Sequence, residues 1–340
     1  MRLFPAILLL VVALAAGSCR KVEGQDPPRN NPVPQVDHHQ HLLSPAGAAL
    51  QNADTFRDRL PYGVEQPVAG EQLVAMLDRA GIKRAVVLSD AYWFDSPRRA
   101  KVLREVGVDD VYEAVRAEND WTAREVAQFP HRLIGFCSFN PLREYALPEL
   151  DRCAEKRTFK GLKLHFAASA VDLKNTQHVE RLRRIFEAAN SHRLALIVHV
   201  RGERRYGREH AEIFLNQLLP AAPDVPIQVA HLWGGDGFSE GALSALVAYA
   251  DAVSAPQRAT KNLHFDVTQL ALILRGRRDA LGRMATLIRQ IGVGRILYGS
   301  DGPMSGNEQP AEAWSTFRRE LPLTDDEFKT IANNIAPYLR

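Results

Sequence analysis

The sequence predicts an α/β fold, a single (β/α)8 TIM barrel that follows a signal peptide and a tether. Three observations predict it. Eight short apolar runs rich in β-branched residues alternate with longer segments of helical period, the pattern of parallel strands joined by helical crossovers. The candidate strand ends at His165, His199, His231, Asp266 and Asp301 are separated by 34, 32, 35 and 35 residues, as a run of single strand–helix units requires. Chemically active side chains gather at those ends, and in a barrel the C-terminal ends of the strands converge on one face. A doubly wound open sheet is the alternative that the same alternation allows.

The strands are QVDHHQH (35–41), RAVVLSD (84–90), RLIGFCSF (132–139), FKGLKLH (159–165), LALIVHV (194–200), PIQVAHL (226–232), NLHFDV (262–267) and RILYGSD (295–301). Between them lie segments with one-sided apolar stripes. They are 71–81, which ends at a glycine, then 111–129, 179–192, 240–250 and 283–292. Stretches 42–70 and 91–110 are insertions after the first and second strands. The barrel domain is therefore 36–340.

The N-terminus reads differently. Arg2 precedes an apolar run from Leu3 to Ala16, and the small residues Ala16, Gly17 and Ser18 lead to Cys19. A membrane span needs about 20 apolar residues, so this run reads as a signal peptide over 1–18. Small residues before a cysteine resemble a bacterial lipobox, although Ala16 stands where leucine is usual. The expectation is an exported lipoprotein of the bacterial cell envelope, periplasmic or at the surface, touching membrane only through an anchor at Cys19. Residues 19–35 include four prolines and few apolar side chains, which suits a flexible tether.

Composition narrows the partners. The chain has 340 residues, 43 basic and 40 acidic, for a net charge of +3. That even balance lacks the basic face a nucleic-acid binder needs, so nucleic acid is not expected. A small-molecule substrate is, with an isologous homodimer as the default assembly. Cys137 and Cys153 could oxidise in an exported protein, but two cysteines make no framework. They read as packing residues.

Of eleven histidines, five (His39, His41, His165, His199, His231) sit at strand ends. Buried imidazoles need polar partners, so several converging ones are hard to explain as packing. Residues i and i+2 of a strand share a face, so His39 and His41 project together while His38 points away. With His199 and Asp301 they form a mononuclear ligand set suited to one divalent ion per chain. Zn suits such a set best, with Mn or Fe as alternatives.

V-D-H-H-Q-H on the first strand, V-H on the fifth, A-H-L-W-G-G on the sixth and G-S-D-G-P on the eighth resemble the amidohydrolase superfamily. Within it, they resemble the amidohydrolase-related branch that includes aminocarboxymuconate-semialdehyde decarboxylase. G-L-K-L-H (161–165) and A-N-N-I-A (332–336) fit the same branch. The resemblance implies that His39, His41 and His199 bind metal. It implies that Asp301 binds metal and takes a proton from water, and that His231 acts in acid–base work. In binuclear relatives a carboxylated lysine on strand four bridges two metals. Lys163 lies on that strand, where a substrate contact or a charge partner is the expectation.

The implied activity is metal-dependent hydrolysis of an amide, ester or lactone of a small molecule. Nonoxidative decarboxylation on the same site is the alternative. A metal-independent lactonase and a non-catalytic binding protein are further alternatives. Lys163, His165, Arg201 and Asp266 are candidate substrate contacts. Arg201 also belongs to a basic loop with Arg204, Arg205 and Arg208, and Tyr92, Trp93 and Phe94 either wall the pocket or pack beneath it. After His231 come Trp233, Gly234 and Gly235, where small residues allow close approach.

Overall fold

A computed structural model describes residues 32–54, 65–201, 206–234, 238–255, 259–302 and 309–340. The expected signal peptide, Cys19 and the expected tether up to residue 31 lie outside the described residues, as do Arg204, Arg205 and Gly235. Residues 32–340 form one compact unit.

Eight parallel strands run in sequence order. They are β1 (Val36–His41), β2 (Arg84–Leu88), β3 (Leu133–Ser138), β4 (Phe159–His165), β5 (Ala195–His199), β6 (Ile227–Val229), β7 (Leu263–Asp266) and β8 (Ile296–Leu297). The continuous apolar strand sequences follow from cover on both faces. Val86 and Leu88 join Phe136 and Ile197 in a small core inside the barrel, while Ala85, Val87 and Cys137 pack outward in the larger core. The barrel closes just beyond β8, where Tyr298 O accepts from His38 N (2.8 Å), His39 O from Asp301 N (2.8 Å) and Gly302 O from His41 N (2.9 Å). This is the (β/α)8 barrel that the sequence pattern predicts, and the open sheet is excluded.

Caps set the crossover helices where the apolar stripes do not. Asn175 starts Thr176–Ser191 by accepting from Gln177 N and His178 N, and Ser239 starts Glu240–Ser254. Gly81, at φ 71°, ends Gly70–Ala80. The helices expected at 179–192 and 283–292 begin earlier, at Thr176 and Arg278, the second with Leu281 of its first turn already buried. The two insertions fold as well, with helices Pro45–Ala53 and Ala100–Glu105.

The register of β1 on β2 shifts between Asp37 and Gln40. That irregularity sends His38 to the barrel floor and His39 and His41 to its mouth. His38 is fully buried, with Nδ1 donating to Tyr298 O (3.1 Å) and Nε2 accepting from Ala336 N (3.3 Å). One nitrogen must donate and the other accept, so only the neutral ring fits, and burial lowers its pKa to about 4. Ile335, Tyr338 and Leu339 of the C-terminal tail close the floor against the inner core.

Cys137 and Cys153 correct the packing expectation: they are joined by a disulfide, with Cα atoms 6.2 Å apart. It ties β3 to the helix Ala146–Glu155, a pairing that two cysteines 16 residues apart do not announce by spacing.

Two predictions follow from this framework. His38 has its pKa depressed on folding, so its stabilisation is present above about pH 6.5 and declines as pH falls toward 4, by up to about 3 kcal/mol. Asp37, raised by burial to about 6, acts in the opposite sense, so the measure is the difference between wild type and His38→Asn in denaturant titrations across this range. Removing the disulfide by Cys137→Ala with Cys153→Ala should cost about 3 kcal/mol in the same titrations.

Candidate metal centre

The donors converge at the mouth. His39 Nε2 lies 3.2 Å and His41 Nε2 3.3 Å from the same Asp301 Oδ1. Ligands about 2.1 Å from a tetrahedral ion stand about 3.4 Å from one another, so these separations fit one divalent cation. Among the described residues, His39, His41 and Asp301 form the set at this face whose donor atoms all lie within 4.8 Å of each other. His199 is not in it. Its ring stacks on His165 at 3.8 Å and meets His231 edge-on at 5.1 Å. Burial, then His231 and Lys163, hold His199 well below its usual pKa, so it stays neutral and has a lone pair to offer.

Carboxylates fix the two first-strand imidazoles. Asp266 Oδ2 accepts from His39 Nδ1 (3.0 Å) and from Gln228 Nε2 (2.7 Å). Its Oδ1 accepts from His231 N (2.9 Å) and Thr268 N (3.2 Å). A proton on His39 Nδ1 leaves the Nε2 lone pair for a cation. Asp266 therefore departs from the expected substrate contact: it is fully buried with both oxygens engaged, and it holds His39 and the His231 backbone instead. Burial works against its charge, yet His39 keeps it below the usual carboxylate range. Asp90 Oδ1 stands 2.9 Å from His41 Nδ1. Burial opposes a charge on His41 as well, but Asp90 and Asp301 together push it up to about 9. Asp301 is half-buried; burial opposes its charge, but His39 and His41 hold it well below its ordinary value.

Beneath this layer, Asp37 knits β1 to the G-S-D turn. Its carboxylate accepts from His39 N (3.2 Å), Ser300 N (3.1 Å) and Gln40 Nε2 (2.8 Å). Gln40 also donates to Ser300 Oγ. Asp301 (φ 61°), His231 (φ 56°) and Leu232 (φ 61°) adopt positive φ, a costly conformation concentrated at the residues that face the site. Gly299 permits the turn to approach β1, since a Cβ there would stand 2.7 Å from His39 Cβ and 2.5 Å from Thr268 Oγ1. A further chain reaches the floor: Tyr338 Oη donates to Gln228 Oε1 (2.8 Å), and Gln228 donates to Asp266.

The other expected residues separate. Lys163 is buried, and its ammonium donates to His39 Nε2 at 3.0 Å, inside the ligand set. His165 is half-buried between Tyr92 (4.8 Å) and His199, its Nδ1 accepting from Ala168 N (3.2 Å). His231 is buried, 5.1 Å ring to ring from His39. Arg201 is half-buried, with its backbone N bound to Gly234 O (2.6 Å), whereas Arg208 pairs outward with Glu212 and Asp251. Tyr92, Trp93 and Phe94 are all buried.

Asp90, Asp37 and Gln228 escaped the sequence reading. Asp90 closes the second strand run, so the strand-end rule that picked out the histidines reaches it too.

A family model described as amidohydrolase matches residues 36–334, and the chain belongs to that family of enzymes. No curated protein matches. Among solved structures, the chain resembles a 2,6-dihydroxybenzoate decarboxylase from Rhizobium (16% identity, 88% of this chain and 96% of that one, TM-score 0.58). It also resembles a dihydroxybenzoic acid decarboxylase from Polaromonas sp. JS666 with bound manganese and 2-nitroresorcinol (18%, 88% and 94%, TM-score 0.56). A third is a protein from Acinetobacter baumannii described as a probable 2-pyrone-4,6-dicarboxylic acid hydrolase (16%, 88% and 96%, TM-score 0.54). At these identities the likeness speaks for the fold.

The Gly299 contact gives a direct test. Gly299→Ala should push His39 out of register, costing about 1–3 kcal/mol in denaturant unfolding and lowering divalent-metal uptake measured by elemental analysis.

Proposed function

We propose that the protein is a metal-dependent hydrolase that cleaves an amide, ester or lactone bond of a small molecule. The observation that carries this reading is the meeting of His39 Nε2, His41 Nε2 and Asp301 Oδ1 at separations fit for one ion. These three residues, with His199 as the fourth candidate, would hold the metal, one per chain. Two imidazoles and a carboxylate suit Zn, and they accept Mn or Fe. When bound, a divalent ion supplies positive charge that polarises a carbonyl and lowers the pKa of a water.

The protein's own groups do the remaining work. Asp301, kept ionised, accepts a proton from the attacking water at its carboxylate. His231, beside His199 and His39, delivers a proton to the leaving group. Lys163, with its ammonium 3.0 Å from His39 Nε2, is placed to meet an anionic oxygen of the substrate. His165 walls the pocket next to His199, and Arg201 at the rim is suited to a substrate carboxylate.

Nonoxidative decarboxylation is the second reading, favoured by the decarboxylases among the structural relatives and served by the same donors. For localisation, export and anchoring at Cys19 remain the reading of residues 1–35. The Cys137–Cys153 disulfide supports it, because such bonds persist in oxidising compartments. A homodimer stays the default assembly.

Elemental analysis should find about one metal per chain in wild type and a clear loss in His39→Ala and Asp301→Ala. His231→Asn should keep its metal and lose about 10²–10⁴ in kcat. The assay is a panel of esters, amides, lactones and aromatic carboxylates read for both hydrolysis and CO2 release. Wild-type protein that takes up none of Zn, Mn or Fe overturns the metal reading.

A further inference from the structure

Asp90 is a buried acid at the barrel mouth, with its side chain 1% exposed. Its Oδ1 lies 2.9 Å from Nδ1 of His41, the nitrogen that faces away from Asp301. Tyr92, two residues on and buried, lays its ring against His165 at 4.8 Å. Behind it, Ser44 Oγ donates to Glu118 Oε2 at 2.6 Å. Burial pushes Glu118 up to about 8, so at neutral pH it carries no charge to compete with Asp90.

The chemistry of imidazole gives this arrangement a purpose. A neutral ring binds a cation through one nitrogen only if the proton sits on the other, and the two tautomers differ little in energy. A carboxylate oxygen beside Nδ1 favours the tautomer with hydrogen on that nitrogen. It also fixes the ring plane, which a long-range charge would not. Asp266 stands at the corresponding nitrogen of His39, hydrogen-bonded to it at 3.0 Å, from a different strand. The parallel between two independent carboxylate–imidazole pairs argues against chance burial.

We propose that Asp90, buried 2.9 Å from Nδ1, is the positioning residue for His41. It aims the Nε2 lone pair and thereby sets how tightly the centre holds its ion. The inference rests on the metal reading given above and adds to it a determinant of affinity that does not contact substrate.

The test is a competition titration of the purified, metal-stripped full-length protein with zinc, then manganese, against a chelating indicator. Asp90→Asn keeps the shape and removes the obligate acceptor, and should weaken zinc binding about 10–100-fold with far-UV circular dichroism unchanged. In zinc-loaded wild type, the His41 Nδ1 proton should be visible by NMR and protected from exchange with water, a readout that needs no variant. Zinc binding by Asp90→Asn as tight as wild type overturns the role of Asp90, and so does a rapidly exchanging Nδ1 proton. If Asp90→Asn does not fold, the Nδ1 proton decides. Failure of wild type itself to bind either metal brings down the underlying reading, a separate outcome.

Discussion

The centre depends on one constraint: an imidazole can offer a lone pair only where something else takes its hydrogen. In a barrel mouth with little water, that acceptor must be built in. Asp266 serves His39, and Asp90 stands at the corresponding nitrogen of His41. Each acid is expensive to bury alone and becomes tolerable because cationic or hydrogen-bonding partners surround it. The Nε2 atoms that result both face Asp301. A cation at that point would satisfy three groups that otherwise crowd one another.

The scaffold transmits this constraint downward. Asp37 ties β1 to the turn that carries Ser300 and Asp301, and the shift in β1 register splits neighbouring histidines between floor and mouth. His38 and His39 are adjacent in sequence yet perform opposite tasks. One is a neutral clip between Tyr298 and Ala336, and the other is a candidate ligand. Backbone at positive φ in His231 and Asp301 is kept because these fixed contacts outweigh its cost.

Much of this was legible in the sequence. Strands buried on both faces advertise themselves by unbroken apolar runs, so all eight were readable, and the regular interval between their ends pointed to the barrel. His39, His41 and Asp301 were readable because strand parity and strand ends are local properties. What stayed hidden depends on distance across the fold. The Cys137–Cys153 bond joins a strand to the following helix at a separation that carries no signature. Asp266 sits at a strand end like a substrate contact, and only the pairing of both its oxygens reveals a holding role. His199 shares the strand-end position of the ligands but is stacked on His165, a preference set by a neighbour on β4. Asp90 was within reach of the rule applied to the histidines.

The hydrogen-bonded path from Tyr338 through Gln228 and Asp266 to His39 links the tail of the chain to its chemistry. Tyr338 thus takes part in the array that holds the first strand's imidazole. Groups far apart in sequence meet at one ring, so β1 and the segment around Tyr338 must both be docked before that imidazole is held.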